Sequence, residues 1–261
     1  LGSVLKRDQL KNLAIDLDIW RGFEERFLPE TRLLLAKCKG LESFHMSCHT
    51  WIDLFDSLLC LRLRHLELDV KISEKENLAK VEEFIGQQKN SLESLNLRFH
   101  FEMNARKLVK ELCRFLEKLS HLKRLKDLRI HFKQKQTSLD TDDELDSEDR
   151  NEITSLPILP AIIPVIKELT DLRELDINSL GADFTQDFEK FFQALEQRVK
   201  TLEKLELGLQ GFEFGEKDLK ILAKVLTQCK NLDTLTLRTF NIGFSWFFEE
   251  FAPMIHKCRR L

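Results

Sequence analysis

The chain has 261 residues, of which 43% are hydrophobic and 33% are charged, and its net charge at pH 7 is -3. This length and hydrophobic content allow a sizeable core in one domain or two. The near-balance of charge argues against direct binding of nucleic acid or of an anionic membrane surface, because both require a clear basic excess.

Eight copies of a Leu-x-x-Leu-x-Leu phrase run through the chain, with Phe, Ile or Met allowed at the later leucine positions. Within each phrase apolar and polar residues alternate, which is the period of a strand with one buried face. Six of the seven intervals between first leucines lie between 22 and 33 residues, and one is 47. The phrases begin, in chain order, at Leu10, Leu41, Leu63, Leu92, Leu125, Leu172, Leu202 and Leu232.

Between the phrases, apolar residues recur at helical spacing, so each unit is predicted to be a strand, a turn and a helix. A single unit of this kind cannot bury its apolar side, whereas stacked units cover one another. The clearest helical faces are Phe188, Phe191, Phe192 and Leu195 in one unit, and Leu219, Leu222, Ala223, Leu226 and Cys229 in the next.

The longest interval contains an acidic insertion, residues 137–152, with eight acidic residues and one basic residue. Low apolar content and charge of a single sign predict disorder. The simplest interpretation is a solvated loop. The alternative is an acidic tether for a basic partner, or a phosphorylation target at Ser138 or Ser147.

Three of the five prolines follow this insertion, at Pro157, Pro160 and Pro164. Because proline removes a backbone donor and clashes with the preceding turn of a helix, we expect an extended segment here. At most, a short helix would begin near Pro164.

The last phrase is followed by an aromatic cluster that includes Phe244, Trp246 and Phe247. It exceeds what one helical face can bury, so part of it is expected to pack on a following repeat or on a partner, the alternative being ordinary core. The spacing of Cys258 and Leu261 repeats that of an earlier repeat start. We therefore predict one domain over residues 1–261, with about eight repeats, that continues beyond Leu261.

The phrase, its period near 30 residues and the helix in each unit resemble the leucine-rich repeat family, most closely its long-period ribonuclease-inhibitor type. The resemblance implies an α/β solenoid, a curved horseshoe with parallel strands on the concave face and helices on the convex face. Curvature also follows from dimensions, because strands pack about 4.8 Å apart and helices about 8–10 Å apart. The chain departs from the family after the strand, where a customary Asn or Cys is replaced by residues such as His100, Leu180 and Gln210.

Motifs for chemistry are absent from the sequence. Four cysteines, Cys38, Cys60, Cys229 and Cys258, precede the first leucine of a phrase by three residues. Other units have Leu122, Leu169 and Val199 at this place, so the cysteines are predicted to be buried, reduced thiols of an intracellular, most simply cytoplasmic, protein. His45 and His49 would be about 13 Å apart along a strand, too far to bind one ion. With no nucleophile, phosphate-loop or dinucleotide motif, we predict a non-enzyme without metal, cofactor or small-molecule substrate.

Residues two, four and six places after each first leucine are predicted to share the concave face. These 24 positions hold seven acidic residues, four basic residues and no aromatic side chain other than three histidines. The face therefore lacks the basic, stacking character of a nucleic-acid groove and the aromatic anchors of a tight protein hot spot. It fits either electrostatic recognition of a mixed-charge protein surface or a solvated face whose charges pair within the sheet. The candidate partner-binding residues are Glu67, Asp69, Arg98, Arg129, His131, Asp176, Glu206 and Arg238.

We therefore predict a non-catalytic protein–protein interaction scaffold that is part of a larger protein or assembly. Two alternatives remain open. One is the substrate-recognition arm of a ubiquitin ligase-type complex, and the other is a structural subunit of a cytoskeletal or ribonucleoprotein assembly.

Overall fold

A computed structural model describes residues 10–16, 24–47, 54–72, 75–101, 108–134, 158–180, 188–210 and 216–239. These residues form one sheet of eight parallel strands whose spatial order is the order of the sequence. Each strand begins two residues after the first leucine of its phrase, so all eight predicted strands are confirmed. The strands are β1 (Asn12–Asp16), β2 (Ser43–Ser47), β3 (His65–Ile72), β4 (Ser94–Phe101), β5 (Asp127–Gln134), β6 (Glu174–Leu180), β7 (Lys204–Gln210) and β8 (Thr234–Thr239).

Neighbouring strands pair without any shift of register. The first residues of consecutive strands are Cα partners throughout, and so are the residues two and four places further along. The positions two, four and six places after each first leucine therefore form three continuous rows across the sheet, as predicted.

Helices occupy the connections, and each helix contacts the next one along the chain. Every connection leads to the next strand in the same direction across the sheet. Because crossovers between parallel strands are right-handed, the helices in these connections lie on one side of the sheet. The predicted faces of the last two helices are confirmed as buried. The helices are α1 (Glu24–Leu35), α2 (Phe55–Leu58), α3 (Lys75–Gln87), α4 (Val109–Lys118, followed by a 3-10 turn at Leu119–His121), α5 (Ile158–Glu168), α6 (Phe188–Glu196) and α7 (Glu216–Gln228).

The core lies between this helical layer and the leucine rows of the sheet. On β4, the side chains of Leu95, Leu97 and Phe99 are fully buried, whereas the residues between them are partly exposed. Phe99 stacks on Phe132 of β5 with ring centroids 5.6 Å apart and meets Phe115 of α4 edge-on at 5.9 Å. Aromatic contacts thus join adjacent units to each other and the sheet to the helices.

The expectation of an extended segment around the prolines is wrong, because α5 spans 11 residues and contains both Pro160 and Pro164. Pro160 lies in the first turn, where a backbone N–H has no intrahelical acceptor in any case. Pro160 is exposed and Pro164 is only partly buried, while seven apolar residues of the helix are buried. Burial of this many apolar side chains outweighs the cost of about 3 kcal/mol for one interior proline.

Of the predicted buried thiols, the structure describes three, and the prediction is confirmed for two of them. Cys38 and Cys229 are buried, and their sulfur atoms lie 3.2 Å from the Leu34 carbonyl and 3.5 Å from the Val225 carbonyl. Cys60 is exposed, and Leu61 is buried next to it. The interval between first leucines is the shortest in the chain at this unit, from Leu41 to Leu63, and the turn before β3 differs accordingly.

In two units the turn before the strand is longer by one residue, and a polar residue occupies the buried position. Leu92 and Leu202 donate their N–H groups to the carbonyls of Gln88 and Arg198, as Leu41 does to the carbonyl of Cys38. The Gln88 Oε1 atom accepts the Leu63 N–H at 3.0 Å, and Arg198 donates to the Lys167 carbonyl at 2.8 Å. Buried polar side chains therefore link consecutive units on the side before the strands.

Several predictions concern residues outside those that the structure describes. They are the insertion at 137–152, the histidine His49, the aromatic residues Phe244, Trp246 and Phe247, and the chain end with Cys258 and Leu261. Within the described ranges, no helix combines the length and the hydropathy needed to cross a membrane.

The two prolines of α5 provide a matched test of this packing. Pro164→Ala restores a donor for the Pro160 carbonyl and removes a clash, so we expect stability to rise by about 1–2 kcal/mol. Pro160→Ala should leave stability unchanged or lower it by up to about 1 kcal/mol, because alanine loosens the unfolded chain. Urea unfolding of both variants measures the difference, and equal effects would contradict the assignment of Pro164 to a helix interior.

Candidate functional site

The three polar rows of the sheet form one continuous surface opposite the core, which we call the polar face. All eight candidate residues lie on it, on the six neighbouring strands from β3 to β8. Their exposure varies widely: Asp69 is 8% exposed, whereas the side chain of Arg238 is 56% exposed. The period-2 pattern of the strands is sufficient to bring them together.

Glu67 lies at the centre of a three-residue ion-pair chain across β2, β3 and β4. Its carboxylate lies 3.1 Å from Nδ1 of His45 and 2.7 Å from the guanidinium of Arg98. On the same strand, the Asp69 carboxylate contacts Nε2 of His100. The carboxylate of Glu67 is thus contacted from both neighbouring strands, and that of Asp69 is contacted from β4.

A second group of pairs joins β5 to β6. Arg129 donates to the Glu174 carboxylate at 2.7 Å, and His131 Nε2 lies 2.8 Å from the Asp176 carboxylate. The hydrogen bond that Arg129 donates to Glu174 raises the pKa of Arg129 above its ordinary value. Arg129 has Asn96 and Asp176 as Cα partners, as the rows predict, but its ion pair runs diagonally to Glu174.

On β7 and β8, Glu206 lies between two cations, 2.7 Å from the Lys204 ammonium and 3.7 Å from the Arg238 guanidinium. Gly208 on the same strand lies beneath the side chain of Asn178. A Cβ atom at Gly208 would approach Oδ1 of Asn178 to 2.4 Å, so only glycine leaves room for this arrangement.

Among the polar-face carboxylates whose side chains the structure describes, Asp127 alone takes part in no ion pair or histidine contact. It is the Cα partner of Glu174 across β5 and β6, so two acidic residues stand side by side. Burial, and next the charge of Glu174, raise the pKa of Asp127 above its ordinary value. Cross-strand neighbours of like charge are destabilising, which makes Asp127 a local weakness of the fold.

A row of charged residues precedes the strands, which we call the edge row. From the second unit on, each edge-row residue and the one after it donate their N–H groups to the edge-row carbonyl of the unit before. The edge row consists of Lys11, Glu42, Arg64, Glu93, Lys126, Arg173, Glu203 and Asp233.

Glu93 is the most strongly held member of the edge row. Its carboxylate lies 2.8 Å from Arg64 on one side and 2.8 Å from Lys126 on the other, and its side chain is only 10% exposed. The hydrogen bonds from Lys126 and Arg64 lower the pKa of Glu93 from 4.5 to about 2. Its role is structural, since both partners belong to the adjacent units.

Sequence reasoning missed the edge row, although a signal was present. The column directly after each first leucine alternates in charge from Lys11 to Lys126, and aligning the eight phrases would have revealed it. The pairing on the polar face was anticipated only in part, because the identity of each partner depends on side-chain direction across two strands.

No protein-family model and no curated protein sequence matches this chain at a significant level. Among the residues that the structure describes, no group of three or more His, Cys, Asp or Glu side chains is arranged to hold a metal ion. Functional conclusions therefore depend on the chemistry of the polar face.

The position of Glu93 predicts a pH-dependent contribution to stability. At pH 7, Glu93→Gln should lower the free energy of unfolding by about 1–2 kcal/mol. The lowered pKa of Glu93 corresponds to about 3 kcal/mol, and solvent screening of its half-exposed partners reduces this value. Because the pKa is lowered in the folded state, this stabilisation is present above pH 4.5 and is lost as pH falls towards 2.

Glu203→Gln is the matched control for Glu93→Gln, since Glu203 lies in the same row with a single partner, Arg173, at 3.4 Å. We expect a change below about 0.5 kcal/mol for this exposed pair. Urea unfolding of both variants between pH 7 and pH 2.5 provides the measurement. A loss for Glu93→Gln that is constant over this range would contradict the electrostatic explanation.

For Asp127 we expect a change in stability of the opposite sign. Asp127→Asn should raise stability at pH 7 by a few tenths to about 1 kcal/mol, because it removes a half-buried charge beside Glu174. Since the pKa is raised, the destabilisation is present when Asp127 is ionised and disappears as pH falls through that raised value. The control is Asp233→Asn, which neutralises an exposed edge-row residue and should have no comparable effect. An equal gain in stability for both variants would show that the lower net negative charge, and not the position of Asp127, is the cause.

Proposed function

We propose that this chain is a non-catalytic protein–protein interaction scaffold of the leucine-rich repeat kind, in which the polar face is the recognition surface. The observation that carries the proposal is the in-register pattern of charge on that face. Three continuous rows across eight strands, polar at every position except Ala14 and Gly208, present side chains at fixed spacing, which suits recognition of another protein surface by complementary charge.

The ion pairs of the polar face favour binding over catalysis. Glu67, His131 and Asp176 are each engaged with a neighbour of opposite charge or with a histidine–carboxylate contact. Groups held in this way present a defined pattern to a partner. Ion pairs on exposed surfaces contribute only about 0–1 kcal/mol each, so a partner can exchange them at small cost.

A curved solenoid with this face on its concave side is part of the proposal. Its support is the sequential order of the strands together with a helical layer on one side only. Strands pack about 4.8 Å apart and helices about 8–10 Å apart, so a long stack of such units bends towards the strands. We also propose an intracellular location, which is supported by the buried thiols of Cys38 and Cys229.

Capture of partners by three forms of the protein tests this proposal. The first is the wild type, and the second is Arg129→Gln with Glu174→Gln, which removes one ion pair of the polar face. The third is Lys217→Gln with Glu189→Gln, which removes an exposed ion pair of 3.2 Å on the helical side. Both double variants keep the net charge of the chain unchanged.

We expect a stoichiometric partner to be retained by the wild type and by the helical-side variant and to be lost or weakened with the polar-face variant. Circular dichroism and unfolding curves check that both variants fold. Recovery of the same partner by all three proteins would place the recognition surface elsewhere. Recovery of no stoichiometric partner by the full protein would contradict the scaffold function itself.

A further inference from the structure

The turns that lead into the strands form a flank of the sheet whose charge is opposite to that of the polar face. In the second to eighth units, the three residues before the first leucine contain seven basic residues and one acidic residue, Asp171. The polar face, by contrast, has seven acidic and four basic residues. All seven basic residues of the turns are exposed, and we call them the turn row: Lys39, Arg62, Lys89, Lys123, Arg124, Lys200 and Lys230.

The register of the sheet aligns the turn row across the units. Each turn leads into the edge row, whose backbone hydrogen bonds join a unit to the one before it, so equivalent turn residues of neighbouring units lie side by side. Contacts between turns show this directly, since Arg124 donates to the Asn90 carbonyl at 3.3 Å and Asn231 donates to the Lys200 carbonyl at 2.6 Å. The turns before β2, β3, β4 and β5 have no acidic residue in these three positions, so their cations form the longest uninterrupted part of the row.

Most cations of the turn row have no counter-ion within the protein. Lys123 pairs with Glu168, both side chains being 57% exposed, and Arg124 lies 3.8 Å from Glu93. Such exposed or distant pairs are readily exchanged. The other five take part in no ion pair among the residues that the structure describes: Lys39, Arg62, Lys89, Lys200 and Lys230.

Helix dipoles do not account for the turn row. The carboxyl ends of the helices precede these turns, and their partial negative charge attracts cations within the last helical turn. Lys39 and Arg62, however, lie four residues beyond the last residues of α1 and α2, and Lys89 lies two residues beyond α3. None of these three side chains donates to a carbonyl group of the described residues. Their charges are therefore accessible from solvent and are not used in capping a helix.

An extended acidic segment of a protein matches the spacing of the turn row. The turns lie between the strand layer, where units repeat about every 4.8 Å, and the helical layer, where they repeat about every 8–10 Å. In an extended chain, side chains on one face repeat about every 6.6–6.8 Å, so an acidic residue at every second position meets about one cation per unit. The turn row has no aromatic residue among its neighbours in these turns on which bases could stack, which disfavours single-stranded nucleic acid.

We propose that the turn row is a second interaction surface, which binds an extended acidic segment of a partner protein along the turns before β2 to β5. The segment runs across the units, and its carboxylates pair with Lys39, Arg62, Lys89 and Arg124. The surface is separate from the polar face, so this inference does not depend on the function proposed for that face.

A blocked peptide of about eight residues, in which glutamate and serine alternate, is the probe, because this length spans about four units. Titration into the full, isotope-labelled protein at low salt should shift the backbone amide signals of the four turns. Replacing every glutamate by glutamine should abolish these shifts, and raising the salt to about 0.5 M should weaken binding, because exposed charges are screened. A peptide of the same composition with its glutamates in one block should bind about threefold more weakly, since its charges do not match the spacing of the units.

One double variant and a matched control locate the site. Arg62→Gln with Lys89→Gln removes two central cations of the turn row and should weaken peptide binding about fivefold. Lys220→Gln with Lys224→Gln removes the same charge from two exposed lysines of α7 and should change the affinity less than about twofold. Unfolding curves should show wild-type stability for the turn-row variant, because neither of its cations has an ion-pair partner to lose.

Equal affinity of the wild type and the turn-row variant for the glutamate peptide would overturn the inference, as would an equal loss in the α7 variant or equal binding of the glutamine peptide. Tighter binding of an oligouridylate of similar length, with the same dependence on Arg62 and Lys89, would assign the row to nucleic acid and overturn it as well. The polar-face variant, Arg129→Gln with Glu174→Gln, should bind the glutamate peptide as the wild type does. A loss of peptide binding there would place the acidic segment on the polar face and contradict a second surface.

Discussion

Stacking of parallel strands in strict register is the constraint on which the rest of the structure depends. From Lys11 to Glu203, each edge-row carbonyl accepts two N–H groups from the next unit, so each described unit after the first is positioned by the one before it. Because side chains alternate along a strand, the same register aligns the leucine rows on one face and the polar rows on the other. The core, the polar face and the edge row are three results of one backbone pattern.

The charges of the polar face are organised mainly by their neighbours on adjacent strands. Acidic β3 lies next to basic β4, and the cations of β5 lie next to the carboxylates of β6, so most charge is compensated locally. Against this background Asp127 and Asn96 stand out, since one has a raised pKa and the other a buried acceptor without a partner.

Local sequence rules were wrong where tertiary burial opposed them. Two prolines argued against a helix, yet the apolar residues of α5 pack between α4 and α6 and impose the helix on them. The repeat pattern placed Cys60 in the core and assigned one buried position to Val199, but turns of different length expose Cys60 and bring Arg198 into that position. In both cases the local cost is small compared with the free energy gained by burying several side chains. That cost is one additional residue in a turn, or one missing backbone donor.

The sequence by itself determined the eight strands, their starting residues, the face of each side chain and the register, because all of these follow from a period of two within each phrase. It also determined the helical faces of α6 and α7. Only the tertiary structure decided which charges meet, that Glu93 is held by Arg64 and Lys126, and that Asp127 is half-buried beside Glu174 with a raised pKa. Those outcomes depend on side-chain directions and burial across neighbouring strands, and a periodic pattern along one strand contains no information about them.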